Sequence, residues 1–313
     1  MSSLVKMFAL LLALSPLAFA QETKKTETTP EAKSTDAADE AITNRKLRAE
    51  TGSLSKWSVS TFFDYSGGNL ADPINPERRN ITASADALEL QSLSGSVGVR
   101  YRINPLTSMT ASTGFFMSTP FHDSIRTNDP ETKKEFEKTN RKLNVSDPSL
   151  GLTHLNKILG IQSVSSVGAT LITNNQLENR GYESYLSAGQ TFMYDVGKTG
   201  LSVGLSMSYG YYTHSKDPAE GDQLATNNLG FYPALEYVIN DTLNLRTVSG
   251  MWVFQQTTAS ASDTWDKLKV YQSVGLGISV ARDVFLYPNF QFIPTDIRSD
   301  RTNIAISASI NVF

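Results

Sequence analysis

The chain has 313 residues, no cysteine, 28 basic and 31 acidic residues, and a formal net charge of -3. The missing cysteines exclude disulfides, thiolate metal sites and thiol catalysis, and the balanced charge gives no positive field for a nucleic-acid partner. The mean hydropathy is -0.25, and no run after residue 20 approaches the about 18 consecutive apolar residues of a membrane-spanning helix. A helical membrane protein is therefore excluded, whereas a protein that crosses a membrane with strands is not.

Residues 1–20 have the features of a secretory signal peptide. Lys6 precedes an apolar run from Met7 to Leu14, and Ala18-Phe19-Ala20 forms a cleavage site of small residues before Gln21. The apolar run is too short to cross a bilayer as a helix. We therefore expect an exported protein whose mature chain begins near residue 21.

Residues 21–55 are rich in Thr, Lys, Glu, Asp and Ala and contain almost no large apolar side chains. Such a segment cannot bury enough apolar surface to offset the entropy lost on ordering, so the composition predicts disorder. A soluble tail is the plainest role for it. Two alternatives stay open, a plug that enters a pore and a tether to the cell wall, and the stretch with Arg45, Lys46 and Arg48 is the relevant part for both.

From Trp57 onward apolar and polar residues alternate, which is the period of β-strands with two different faces. In residues 200–213, Leu, Val, Met and Tyr occupy one face and Ser and Gly the other. Tight turns and longer loops alternate between these runs, which is typical of an up-and-down meander. The twelve runs are 57–66, 91–103, 107–118, 148–155, 159–173, 182–194, 200–213, 227–239, 242–256, 266–281, 284–296 and 302–313.

Alternation alone does not say which face is buried, because a soluble barrel gives the same period with its apolar face inward. Here the polar face is built from Ser, Gly, Thr and Asn, which suits a wet lumen better than a soluble exterior. Aromatic residues on the apolar face lie toward the strand ends, as two membrane interfaces require. The turn-end set is Trp57, Tyr101, Tyr194 and Tyr237, and the loop-end set is Tyr65, Phe115, Tyr182, Tyr211 and Phe231.

The export signal, the alternating strands, the alternation of turns and loops, and a final aromatic in NIAISASINVF together resemble the outer-membrane β-barrel proteins of Gram-negative bacteria. The resemblance covers residues 57–313 and is to the class, not to one family. It implies an all-β fold, with residues 56–313 forming a closed antiparallel transmembrane β-barrel. Twelve strands are expected, with ten and fourteen as alternatives.

The resemblance also implies an outer-membrane location, with residues 21–55 in the periplasm. The expected partners are outer-membrane lipid and the barrel assembly machinery. In this class the last residue helps that machinery to recognise the chain, so Phe313 matches the assembly signal. One departure is that Ser309 and Asn311, rather than the neighbouring Ile residues, are in step with Phe313.

Alternation directs a few charged side chains into the expected lumen, five of them basic and two acidic. One interpretation is a basic filter that favours small anionic solutes. The other is a network of ion pairs that fills a narrow barrel, because Glu236 and Arg246 are near-opposite neighbours across the 240–241 turn. The pore-lining candidates are Asp64, Arg100, Arg102, Glu236, Arg246, Lys267 and Lys269.

No catalytic set, cofactor or metal site is expected, so we do not predict an enzyme. The three histidines are His122 in a loop, His154 beside a turn and His214 at a strand end. His122-Asp123-Ser124 has the His and Ser spacing of the outer-membrane phospholipase, but it follows a proline in a charged loop and lacks the rest of the motif. No glycine-rich phosphate loop is present either.

The leading functional hypothesis is a passive pore for small solutes, because small polar residues line the expected lumen. The alternative is a non-transporting surface barrel that displays its loops for adhesion or envelope interaction. An autotransporter-like translocator is disfavoured, because residues 21–55 are too few to form a passenger.

Overall fold

The structure, a computed structural model, describes residues 36–81, 88–125, 130–215, 224–258, 265–268 and 270–312. Within these ranges the helices are α1 (Ala37–Ala41), α2 (Arg45–Thr51), α3 (Pro130–Thr139) and α4 (Asn175–Asn179). The strands are β1 (Trp57–Asn69), β2 (Glu77–Arg79), β3 (Leu88–Leu90), β4 (Ser92–Asn104), β5 (Thr107–Ser118), β6 (Leu143–Ile158), β7 (Ile161–Leu171), β8 (Tyr182–Asp195), β9 (Leu201–His214), β10 (Ala225–Val238), β11 (Leu243–Gly250), β12 (Trp252–Thr257), β13 (Asp266–Lys267), β14 (Tyr271–Ala281), β15 (Val284–Phe292) and β16 (Asn303–Val312). No helix in the described ranges is long and apolar enough to span a bilayer.

Fourteen of these segments form one closed barrel of twelve strands. β11 and β12 are two parts of one strand, since both pair with β10, and β13 and β14 are two parts of the next. Every other barrel strand pairs with its sequence neighbour, and β1 pairs with both β4 and β16, so the sheet has no free edge. All barrel pairings are antiparallel. The predicted closed, antiparallel, twelve-stranded meander is therefore confirmed.

The two faces of the barrel differ as the sequence predicted. Val97, Val99, Leu150, Leu152 and Val167 lie on the outward face and are 41–53% exposed. The side chains that alternate with them are mostly small and polar and line the lumen. An apolar exterior around a polar interior is the arrangement of a barrel in lipid.

The aromatic residues at the turn end lie on the outside. Trp57 and Tyr101 have ring centroids 4.7 Å apart, and Tyr194 and Tyr237 are about half exposed. Tyr182 was predicted to belong to the opposite girdle, and this prediction is wrong. A register shift between Tyr182 and Ser184 turns the tyrosine into a buried cluster instead. The cluster contains Ile172, Leu224 and Tyr212.

The prediction of disorder for residues 21–55 is wrong for residues 36–55, which contain α1 and α2. Asp36 caps α1 by accepting a hydrogen bond from the Ala38 amide, and Asn44 caps α2 by accepting one from the Leu47 amide. The helices bury their few apolar residues against the barrel wall, which supplies the surface that the segment itself lacks. Residues 1–35, including the expected signal peptide 1–20, lie outside the described ranges.

Two glycines in the barrel strands allow a test of how closely neighbouring strands pack. A methyl group at Gly95 would overlap the carbonyl oxygen of Phe62 and the ring of Phe115, whereas at Gly151 the nearest atom is the Val167 carbonyl oxygen at 3.6 Å. We expect Gly95→Ala to lower the free energy of unfolding by about 1–3 kcal/mol, because it forces β1 and β4 apart. Gly151→Ala is the control, with an expected change within about 0.5 kcal/mol. Urea unfolding of the refolded barrels measures both, and equal stabilities would contradict this packing.

Candidate functional site

Residues 36–54, hereafter the N-terminal plug, lie inside the lumen at the end where the tight turns are. The Lys157 ammonium, on one side of this mouth, donates a hydrogen bond to the Glu40 carbonyl oxygen at 3.4 Å. On another side, the Arg45 guanidinium donates to the Asn240 carbonyl oxygen at 2.6 Å. The plug therefore crosses the mouth from wall to wall.

The apolar contacts of the plug are few but fully buried. Ile42 and Leu47 pack against Leu155 of β6 and Met193 of β8 in one cluster. On the other side, the small side chain of Ala49 lets α2 approach the rings of Phe285 and Tyr287. Burial of one such aliphatic side chain contributes about 1.5–3 kcal/mol, so these contacts anchor the plug without forming a large core.

Two arginines of the barrel hold the beginning of the plug through its carboxylates. Arg102 of β4 forms an ion pair with Asp36, and its Nη1 donates to the Leu54 carbonyl oxygen at 2.6 Å. Arg282, in the turn between β14 and β15, donates from Nε to Asp39 at 2.9 Å and from Nη2 to the same carboxylate at 2.6 Å. Each arginine thus contacts one acidic side chain of the plug.

A third arginine holds the end of α2 through backbone groups. The Arg100 Nη2 donates to the Glu50 carbonyl oxygen at 2.9 Å. The guanidinium lies directly against Gly52, the C-cap residue, where any side chain would overlap it. Gly52 also has φ +96°, a conformation that other residues rarely adopt. Glycine is therefore required at position 52 for two reasons. The end of α2 needs a positive φ there, and the Arg100 guanidinium leaves no space for a side chain.

The opposite side of the mouth is acidic and amide-rich. The Gln162 side-chain oxygen accepts hydrogen bonds from the Thr43 and Asn44 amides at 2.8 and 2.7 Å. The Asn44 side-chain amide donates to Glu236 at 2.8 Å, and Glu236 also forms a buried ion pair with Arg246. These bonds satisfy the backbone amides between α1 and α2, so the junction of the two helices is fixed to the wall.

The electrostatics of the plug favour its docked position at neutral pH. The hydrogen bond from Arg102 is the largest influence on Asp36, and it holds the pKa of that carboxyl below its ordinary value of 3.8 despite partial burial. The docked state therefore favours the ionised carboxylate.

The plug does not fill the mouth completely. A cavity of 280 Å³ lies between it and strands β8 to β11, beside Arg45, Asp195 and Asn244. A second cavity of 280 Å³ lies near Arg48 and Arg282. The plug thus narrows the lumen at this end, and its packing against the wall is incomplete in two places.

The predicted lumen charges divide into four groups. Arg100, Arg102, Glu236 and Arg246 face the lumen at the turn end, where Arg100, Arg102 and Glu236 contact the plug. Asp64 faces the lumen nearer the loop end. At this loop end, Arg78 of the β2–β3 hairpin donates a hydrogen bond to the Gln291 side chain at 3.0 Å. Lys269 and the predicted assembly signal Phe313 lie outside the described residues.

The prediction that Lys267 lines the pore is wrong. Lys267 pairs with Phe254 on the outward face. Alternation counted from Tyr271 would turn Lys267 inward, but β13 ends at Lys267 and β14 begins at Tyr271. The strand is interrupted between them, so the alternation does not continue through the break.

Two important plug contacts were missed from the sequence. Gln162 has no local motif, because the Asn44 amide that it binds is 118 residues away. Arg282 lies between the predicted strands 266–281 and 284–296, and nothing nearby in the sequence indicates that its partner is Asp39. Within the described residues no group of His, Asp or Glu side chains is arranged to hold a metal ion.

No known protein family and no curated protein matches the chain. Among solved structures, an outer-membrane channel from Pseudomonas putida F1 has a TM-score of 0.52 at 11% identity, covering 83% of this chain and 97% of that one. The NanC porin has a TM-score of 0.44 at 10% identity, covering 82% and 98%. The translocator domain of the autotransporter NalP from Neisseria meningitidis has 0.41 at 12%, covering 88% and 96%. The first similarity shows that the chain has the fold of an outer-membrane β-barrel.

Proposed function

We propose that the protein is an outer-membrane channel for small solutes, narrowed at its periplasmic end by its own N-terminal plug. The observation that carries this proposal is the plug itself, a segment of the same chain held in the mouth of a closed, polar-lined barrel. A barrel that only displays loops has no need of a segment fitted to its lumen. The solved structure of TM-score 0.52, which is described as an outer-membrane channel, agrees with this function.

The location follows from the same features. The apolar exterior suits lipid, and the expected signal peptide 1–20 suits export. Short turns lie on the periplasmic side in this class of barrel, so the plug narrows the lumen on that side. No enzymatic activity is proposed.

The charges at the mouth suggest which ions the open channel prefers. With the plug docked, Arg102 and Arg282 are neutralised by plug carboxylates. Displacement of the plug uncovers Arg100 and Arg102, whereas Arg282 keeps its ion pair with Asp283 on the wall. Because Glu236 stays paired with Arg246 as well, the side of the mouth that Arg100 and Arg102 line favours small anions over cations.

Conductance of the full chain in a planar bilayer tests whether the plug controls passage. The chain has no cysteine, and Thr43 Oγ1 lies 3.2 Å from Asp195 Oδ2, so Thr43→Cys with Asp195→Cys creates one reversible lock. We expect low conductance when this pair is oxidised and a rise on reduction. Deletion of residues 21–52 should give a steady, larger and anion-preferring conductance.

The single variant Thr43→Cys is the control and should not respond to oxidant. Correct folding of each barrel is checked by its heat-dependent shift on a gel. If all correctly folded variants remain silent, the protein is not a channel, and the loop-displaying surface barrel becomes the better hypothesis.

Loss of one arginine contact should loosen the plug. Arg102→Gln removes the ion pair with Asp36 and the bond to the Leu54 carbonyl oxygen. Charge-assisted hydrogen bonds contribute about 1.5–3 kcal/mol, so the population of the open state should rise about 10- to 100-fold. Hydrogen exchange of residues 36–54 and single-channel open time both measure this. Arg298→Gln, which breaks an exposed loop pair with Asp296, should change neither.

Acid should favour plug release. The pKa of Asp36 is lower in the docked plug than its ordinary value of 3.8, so the docked state binds fewer protons than the released state. This contribution to docking is fully present above pH 3.8 and is lost as the pH falls through the lowered pKa. The conductance of the full chain should therefore increase as the pH falls below 3.8. Asp36→Asn should show a higher conductance at pH 7 and a weaker response to acid, and an unchanged acid response would contradict this role of Asp36.

A further inference from the structure

The lumen contains a second region, nearer the loop end, whose chemistry differs from that of the arginine-rich mouth. A cavity of 240 Å³ lies against the inner wall formed by β8, β9, β10 and β12. None of the described residues that line it is charged. Its side chains are aromatic rings, amides, a hydroxyl and a few aliphatic groups, principally Tyr185, Ser208, Asn228, Tyr232, Val253 and Gln255.

Two tyrosine rings are held flat against this wall by glycines. A methyl group at Gly210 would overlap the ring of Tyr185, and one at Gly230 would overlap the ring of Tyr232. Tyr185 is braced further by Tyr212, whose ring centroid is 4.6 Å away. Both glycines also line the cavity, so each ring lies along the wall at the cavity and is partly exposed to it.

Polar groups lie beside the rings. Asn228 and Gln255 are opposite each other on β10 and β12, and both amides face the lumen. Ser208, on β9, lies opposite Gly230 and adds a hydroxyl to the same wall. Together they offer hydrogen-bond donors and acceptors without a net charge.

We propose that this cavity is a binding subsite for a neutral sugar. The C–H face of a sugar ring packs on a flat aromatic ring, and its hydroxyls match the amides and the hydroxyl. A purely apolar solute would make no use of the Asn228 and Gln255 amides, and an anion would find no positive charge among the described lining residues. The cavity of 240 Å³ is several times the about 30 Å³ that one water molecule takes in the liquid, so it has room for a ligand of several non-hydrogen atoms, such as a sugar ring.

The subsite identifies neutral sugars as the solute class of the proposed channel. This inference rests on the channel function proposed above. A neutral sugar is neither attracted nor repelled by the charged arginines at the turn end. Binding at the subsite is therefore independent of the charge of that mouth. The test therefore measures binding at equilibrium, which does not depend on whether the plug opens.

Binding of maltose, glucuronate and phenol to the detergent-solubilised full chain is measured by saturation-transfer NMR with a concentration series. We expect maltose to bind, and we expect Tyr232→Ala and Asn228→Ala each to weaken it about tenfold. Tyr211→Ala is the matched control, because this tyrosine lies on β9 but on the outward face, and it should leave binding unchanged.

Three outcomes would overturn the proposal. They are no maltose binding to a correctly folded barrel, equal loss in the Tyr211→Ala control, and a preference for phenol or glucuronate over maltose. The conductance experiment on the disulfide-locked plug is independent of all three. A channel that conducts but does not bind maltose would therefore refute the subsite and leave the proposed function in place.

Discussion

The rest of the structure depends on the closure of the sheet by the pairing of β1 with β16. In a hydrocarbon environment every backbone amide and carbonyl group needs a partner within the protein, and a sheet meets this need only when it has no edge. Closure divides the side chains into an apolar exterior and an enclosed interior. It also fixes the start of β1 at the rim of the turn end, so the chain that precedes Trp57 enters the barrel beside its own mouth.

The interior acts as a folding environment for that preceding chain. Helices of five and seven residues are too short to be stable in water, and the segment has few apolar side chains of its own. The wall supplies what is missing, namely an apolar cluster around Ile42 and Leu47 and polar partners for the helix ends and backbone. Much of this attachment consists of polar contacts at the rim, where water is near, and the proposed release of the plug requires only that these contacts be exchanged for contacts with water.

Local alternation was sufficient to predict the barrel, because each strand carries its two-faced pattern in its own residues. It was also sufficient for the pairing of Glu236 with Arg246, which depends only on one tight turn. It failed where a strand is not continuous, as at Lys267 beyond the break before Tyr271. It failed again at Tyr182, where a register shift changes the direction of the side chain.

The plug could not be predicted by judging residues 21–55 on their own composition, because its partners are distant in the sequence. The Asn311 side chain that binds the Ala49 carbonyl oxygen, for example, is 262 residues away. Chain closure brings residues 36–54 and the end of β16 to the same mouth, and only then do Arg100, Arg102 and Arg282 form a basic surface opposite Asp36 and Asp39. The charges that alternation directs inward at this end serve first to hold the plug. In the proposed channel, any selectivity among ions therefore belongs to the state in which the plug has moved, whereas the proposed sugar subsite near the loop end has no plug residue in its lining.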